Sequence, residues 1–103
     1  MKGLKYNLLV ILFIFSNLLI AQNEAYYIDL IAGKMGALTE QKVKNGRIDI
    51  VTHTHAIEVE WATNWKHSIG QALWYGLQTN KTPGIILIMK DLDERKYGIM
   101  LQS

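Results

Sequence analysis

The sequence predicts an α/β domain in three layers, a small mixed sheet flanked by helices, and three local signals predict it. Asn45-Gly46 joins two strand-like runs and reads as a hairpin. Residues 56–61, 63–79 and 84–90 read as strand, helix and strand, a βαβ unit expected to be right-handed with its two strands parallel. Lys81-Thr82-Pro83-Gly84 stops that helix and turns the chain into Ile85-Ile86-Leu87-Ile88-Met89, an unbroken apolar run suited to a strand buried on both faces.

The chain has 103 residues, enough for one small domain. Met1–Ala21 reads as a secretory signal peptide: Lys2 and Lys5 make a positive start, Leu8–Ile20 is an apolar core, and Ala21 is a small residue at a cleavage point. The apolar core is shorter than the roughly 20 residues a membrane span needs. The expectation is an exported protein, periplasmic or secreted, whose mature N-terminus lies close to Gln22. The composition counts 11 Lys and Arg against 9 Asp and Glu, and two of those lysines lie in the leader. The domain after it is neutral, so broad electrostatic attraction to nucleic acid is excluded and any contact needs a local patch. Lys42, Lys44 and Arg47 around the hairpin form one; lysines there also discourage edge-to-edge pairing of strands. Cysteine is absent, so no disulfide supports a domain near the lower size limit for a self-sufficient core. Three Trp and, outside the leader, four Tyr compensate, and a homodimer would be a further source of buried area.

Taken in order, Glu24–Met35 reads as a helix, with Tyr27, Leu30, Ile31 and Met35 on one stripe and Gly33 and Gly36 weakening its end. Strands over 39–44, 47–52 and 56–61 would form a meander. In the second, Ile48 and Ile50 are expected to face one way and Arg47, Asp49 and Val51 the other. In the third, Glu58 and Glu60 alternate with Ile57, Val59 and Trp61, so both carboxylates share a face. His53 and His55 lie in the connection; a His-x-His pair can bind Zn²⁺, but two histidines in a short connection are more often exposed loop residues, and no third nitrogen or sulfur ligand is near. In the helix from Thr63, its N-cap candidate, Asn64, Ser68, Gln71 and Tyr75 share one stripe, while Ile69, Leu73 and Leu77 form a packing face. Residues 91–96 read as a charged turn and 97–101 as a short last strand or a frayed helix, the strand being preferred.

The chemistry concentrates in the carboxylates. In the meander, Asp49 and Glu58 come to neighbouring strand positions, with Glu40 within reach. Clustered carboxylates raise one another's pKa unless a cation sits between them. Oxygen-only ligands favour Mg²⁺ or Mn²⁺.

Gly46-Arg47-Ile48-Asp49, Glu58-Val59-Glu60 and Gln71-Ala72-Leu73-Trp74-Tyr75, in that order, resemble the motifs of RecB-type members of the PD-(D/E)XK nuclease superfamily. The resemblance spans about residues 39–90 and implies a restriction-endonuclease-like core, αβββαβ. It implies Asp49 and Glu58 as metal ligands, Glu40 as an assisting acid, and Gln71 and Tyr75 as helix partners that support the site or contact nucleic acid. Arg47, beside Asp49, could neutralise phosphate charge or pair with Glu40 or Glu58. One departure stands out: the family's lysine position holds Glu60. Lys66 and His67 are the replacements at the start of the helix, and counting about 100° per residue directs Lys66 away from the Gln71/Tyr75 stripe and His67 closer to it.

The resemblance thus implies a Mg²⁺- or Mn²⁺-dependent nuclease, weak or inactive for want of the lysine, and the leader makes it an exported one. Its alternative is a non-catalytic interaction or cation-binding module on the same fold.

Overall fold

The computed structural model of the chain describes residues 8–14 and 24–103. Lys2, Lys5 and Ala21 of the expected leader lie outside the described residues. The elements are β1 (Leu9–Ile14), α1 (Glu24–Met35), β2 (Leu38–Val43), β3 (Gly46–Val51), β4 (His55–Trp61), α2 (His67–Thr79), β5 (Thr82–Met89) and α3 (Arg95–Gln102), with short 3-10 turns at Ala62–Asn64 and Leu92–Glu94. The five strands make one mixed sheet in the order β1-β5-β4-β3-β2. β5 runs parallel to both β1 and β4, and β4, β3 and β2 form the antiparallel meander. The α/β class, the parallel β4–β5 pair and the flanking helices are those read from the sequence.

Alternation along β5 divides the core. Ile86 and Ile88 pack with Ile57 and Val59 under Tyr27, Ile28 and Ile31 of α1. Ile85, Leu87 and Met89 pack on the other face with Ala72 of α2 and Leu101 of α3. Helices cover both faces of β5 and strands cover both of its edges, which is why an unbroken apolar run is stable there.

Leu9–Ile14, the middle of the expected leader, forms an edge strand that pairs with Gly84–Met89 residue for residue. Val10 and Leu12 join the core on the α2/α3 side. A Cβ on Gly98 of α3 would lie 2.7 Å from Leu12 Cδ1, so the missing side chain at 98 makes room for a residue of the N-terminal strand. Export with cleavage near Gln22 and this strand make opposite demands on the same residues.

Two further expectations are corrected. Residues 97–101 are helical within α3, not a strand: Gly98 and Leu101, three apart, are its buried positions, and β1 already occupies the sheet edge a last strand would need. In α2 the buried positions are Ser68, Ala72, Tyr75 and Gly76, whereas Leu73 and Leu77 are 39% and 59% exposed. The helix starts at His67 behind a 3-10 turn, and Thr63 makes no capping bond, so the expected N-cap is not used. Close approach selects the small residues: a Cβ on Gly76 would lie 3.0 Å from the Lys81 carbonyl oxygen and from Pro83. Asn80, in the left-handed region at φ 56°, ends the helix by donating its N–H to carbonyls of the last turn.

Candidate functional site

The candidate site grows from a break in the meander. β3 and β4 pair at Ile50/Ile57 and Val51/Ala56. Beyond these pairs, side chains replace the ladder: Val59 N–H donates to Asp49 Oδ2 at 2.9 Å, and Asp49 N–H donates to Glu58 Oε2 at 3.3 Å. The strand turns over at this point. Ile50 packs under α1, but Ile48 packs with Ala56 and Tyr75 on the α2 side. Residues two apart on a regular strand share a face, so the expected alternation through Ile48 and Ile50 fails at Asp49. Opposite it in β2, Glu40 sits between the register pairs Thr39/Ile50 and Gln41/Ile48 with φ 49°. The left-handed region costs a residue with a Cβ about 1–2 kcal/mol.

The structure brings Asp49 and Glu58 together, and Glu58 is 5% exposed. It adds a carboxylate that sequence reasoning missed. Glu24, in the first turn of α1, lies close enough to Glu60 for their charges to interact, and the Trp61 N–H donates to Glu60 Oε1 at 3.0 Å. The one sequence signal for Glu24 is an acid at a helix start, which the helix dipole alone would explain. Burial pushes Glu58 up to about 8, helped by the Asp49 charge. Burial likewise raises Asp49 to about 6, against the pull of the Val59 N–H. Glu24 rises to about 7 through burial and the neighbouring Glu60. Near neutral pH this cluster retains protons.

Of the other predicted residues only Glu40, opposite Asp49, is near enough for its charge to act on that carboxyl. Glu40 Oε1 accepts from Arg47 Nη1 at 2.9 Å in an ion pair whose partners are both about half exposed. Such a pair contributes about 0–1 kcal/mol. Lys66 is exposed with its ammonium 5.6 Å from the centre of the Trp65 ring, and His67 is exposed. His53 is exposed, and His55 Nδ1 bonds the Thr54 hydroxyl at 2.6 Å. Among the described residues no group of three or more His, Asp or Glu side chains is arranged to hold a metal ion.

Arg47, Gln71 and Tyr75 meet at the hairpin. With Lys42, Val43, Asn45 and Gly46 they line an open cavity of about 540 Å³. Tyr75 itself is buried, and its hydroxyl accepts from the Arg47 N–H at 3.2 Å. In the turn it is Asn45 that takes the left-handed conformation, at φ 65°. Gly46 is needed for another reason: the Tyr75 hydroxyl occupies the place of its missing Cβ, and the ring Cζ would lie 2.9 Å away. Gly46→Ala is expected to expel Tyr75 from this seat and to cost about 1–3 kcal/mol, the usual range for overpacking. Urea denaturation checks it, and an unchanged midpoint would refute the seat. Lys44 flanks the cavity, and its carbonyl accepts from Gln78 Nε2.

No protein-family model matches the chain, and no solved structure matches it. Over 54 residues, 52% of its length, the chain is 41% identical to a KilA-N domain-containing protein of Acanthamoeba polyphaga mimivirus, covering 14% of that protein. Over 57 residues, 55% of its length, it is 35% identical to a second KilA-N domain-containing protein of the same virus, covering 23% of it. The chain spans less than a quarter of the length of either relative. These relatives overturn the expectation of a nuclease: both are named for a KilA-N domain, and neither for hydrolysis of nucleic acid.

Proposed function

We propose that the chain is a non-catalytic nucleic-acid-binding module whose contact surface is the β2–β3 hairpin and the cavity beside it. The observation that carries this reading is the convergence of Lys42 and Arg47 with the amides of Asn45 and Gln71 around one open cavity. Two supports stand beside it. The relatives are named for KilA-N, a DNA-binding type of domain. Lys42, Lys44 and Arg47 are exposed on one hairpin, and phosphates need such a patch where net charge is close to zero. Gln71 offers its amide at the cavity wall, while the buried Tyr75 holds the Arg47 backbone in place. The ordered motifs around Asp49, Glu58 and Tyr75 enter this reading as a resemblance of fold, with no reaction attached.

Binding by about three cations is weak and salt-sensitive, with log K falling against log salt by roughly 2–3 for duplex DNA. Fluorescence anisotropy with labelled single- and double-stranded DNA over a salt series tests this. The expected result is binding at low salt that weakens in Lys42→Ala, Lys44→Ala and Arg47→Ala, each lowering the slope by about 1. Equal affinity in the triple variant would move the interface elsewhere, and no binding at low salt would end the reading.

A further inference from the structure

The resemblance implies a metal held by Asp49 and Glu58, but the donors are turned to other work. Asp49 Oδ2 takes the Val59 N–H, and Glu58 Oε2 takes the Asp49 N–H. The Asp49 charge also favours the protonated form of Glu58. Among the described residues no third carboxylate, histidine or cysteine converges with them into a metal-holding group, and no buried side-chain nitrogen or oxygen is left without a partner.

We propose that Asp49 and Glu58 form a reciprocal brace between β3 and β4, each side chain serving a backbone N–H of the opposite strand where the ladder stops, and that the pair is not a metal centre. The backbone requires such a device. Pairing ends at Ile50/Ile57, and Val59 is 3% exposed, so its N–H has no water to turn to. A buried donor without an acceptor is costly, and each strand here supplies the acceptor for the other. The brace also accounts for the reversal between Ile48 and Ile50. It lets β3 turn over at Asp49 and carry Arg47 and the hairpin towards Tyr75 without opening the sheet. The inference is independent of whether the hairpin binds nucleic acid.

The test compares Asp49→Ala and Glu58→Ala with Asp49→Asn and Glu58→Gln in the full chain. Thermal midpoints are read with and without millimolar MgCl₂ or MnCl₂, and amide exchange is read at Val59. An amide oxygen still accepts a backbone N–H, so at about pH 5, where the folded state holds both protons, the amide variants should keep the midpoint and the Val59 protection. The alanine variants should lose both, with midpoints lower by about 4–8 °C or more. Neither metal should move the wild-type midpoint. A metal-induced rise that vanishes in Asp49→Asn would overturn the proposal, as would equal losses in the amide and alanine variants. Should an alanine variant fail to fold, the amide variants and the metal titration decide by themselves.

Discussion

Removing residues 1–21 is expected to abolish cooperative unfolding. The deletion takes away β1, which pairs along the whole of Gly84–Met89. It uncovers an edge of β5, where Ile85, Ile86 and Leu87 are all 0% exposed. Burial of Val10 and Leu12 alone contributes about 1.5 kcal/mol each at the low end of the aliphatic range. The six-residue ladder and the apolar edge add to that. A domain of this size holds roughly 0.05–0.15 kcal/mol per residue of net stability, so the loss is comparable to the whole. Gly98→Val is the point version, because its side chain would enter the space of Leu12. It is expected to cost about 1–3 kcal/mol. Circular dichroism with urea denaturation measures both. A shortened chain that unfolds cooperatively at the wild-type midpoint would show that β1 is dispensable and that a removable leader suits residues 1–21. N-terminal sequencing of expressed protein gives the complementary answer, a start at Met1 or near Gln22.

Stability is expected to fall as pH rises across neutrality, and Glu58 is expected to dominate the fall. In the unfolded chain Glu58 ionises near its ordinary value of 4.5, while in the fold burial and the Asp49 charge hold its proton up to about 8. Between these values the folded state binds more protons than the unfolded state. Its contribution is therefore complete below pH 4.5 and is lost as pH climbs through about 8. Asp49, raised from 3.8 to about 6, adds a loss in the same direction over a lower window. Each proton retained costs about 1.4 kcal/mol for every pH unit of that interval. Glu58→Gln mimics the protonated acid: its amide oxygen can accept the Asp49 N–H and its amide nitrogen can donate to the Asp49 carboxylate. This variant should unfold at higher urea than the wild type at about pH 8, with a much flatter profile down to about pH 5. A wild-type slope retained in Glu58→Gln would remove Glu58 from the account.

Local physics made much of the fold readable. Helix α1 was legible between its own bounds because apolar positions recur at helical spacing and glycines weaken its end, but its buried face is Tyr27, Ile28, Ile31 and Ala32, with Leu30 and Met35 of the expected stripe exposed. The hairpin was legible from Asn45-Gly46, and the parallel β4–β5 pair from a strand, a helix and a Pro-Gly turn in succession. The nearness of Asp49 to Glu58 followed from strand order. What local pattern misread was decided by neighbours. The periodicity of α2 pointed to Leu73 and Leu77, yet the helix lies so close to the sheet that only Ser68, Ala72 and Gly76, with Tyr75 reaching to Gly46, fit beneath it.

The sequence by itself determined the α/β class, the meander, the βαβ crossover and the gathering of carboxylates, because each depends on residue periods and turn chemistry within a few positions. Only the tertiary structure decided that Leu9–Ile14 is a strand, that 97–101 is a helix, that Glu24 joins Glu60, and that Asp49 and Glu58 serve backbone donors. An apolar run such as 9–14 suits a leader, a span or a buried strand equally well, and only an open edge on β5 distinguishes them. A carboxylate is likewise a ligand, a base or a backbone acceptor according to what stands within 3 Å of it, and that is settled by the strand opposite and not by its own neighbours in the chain.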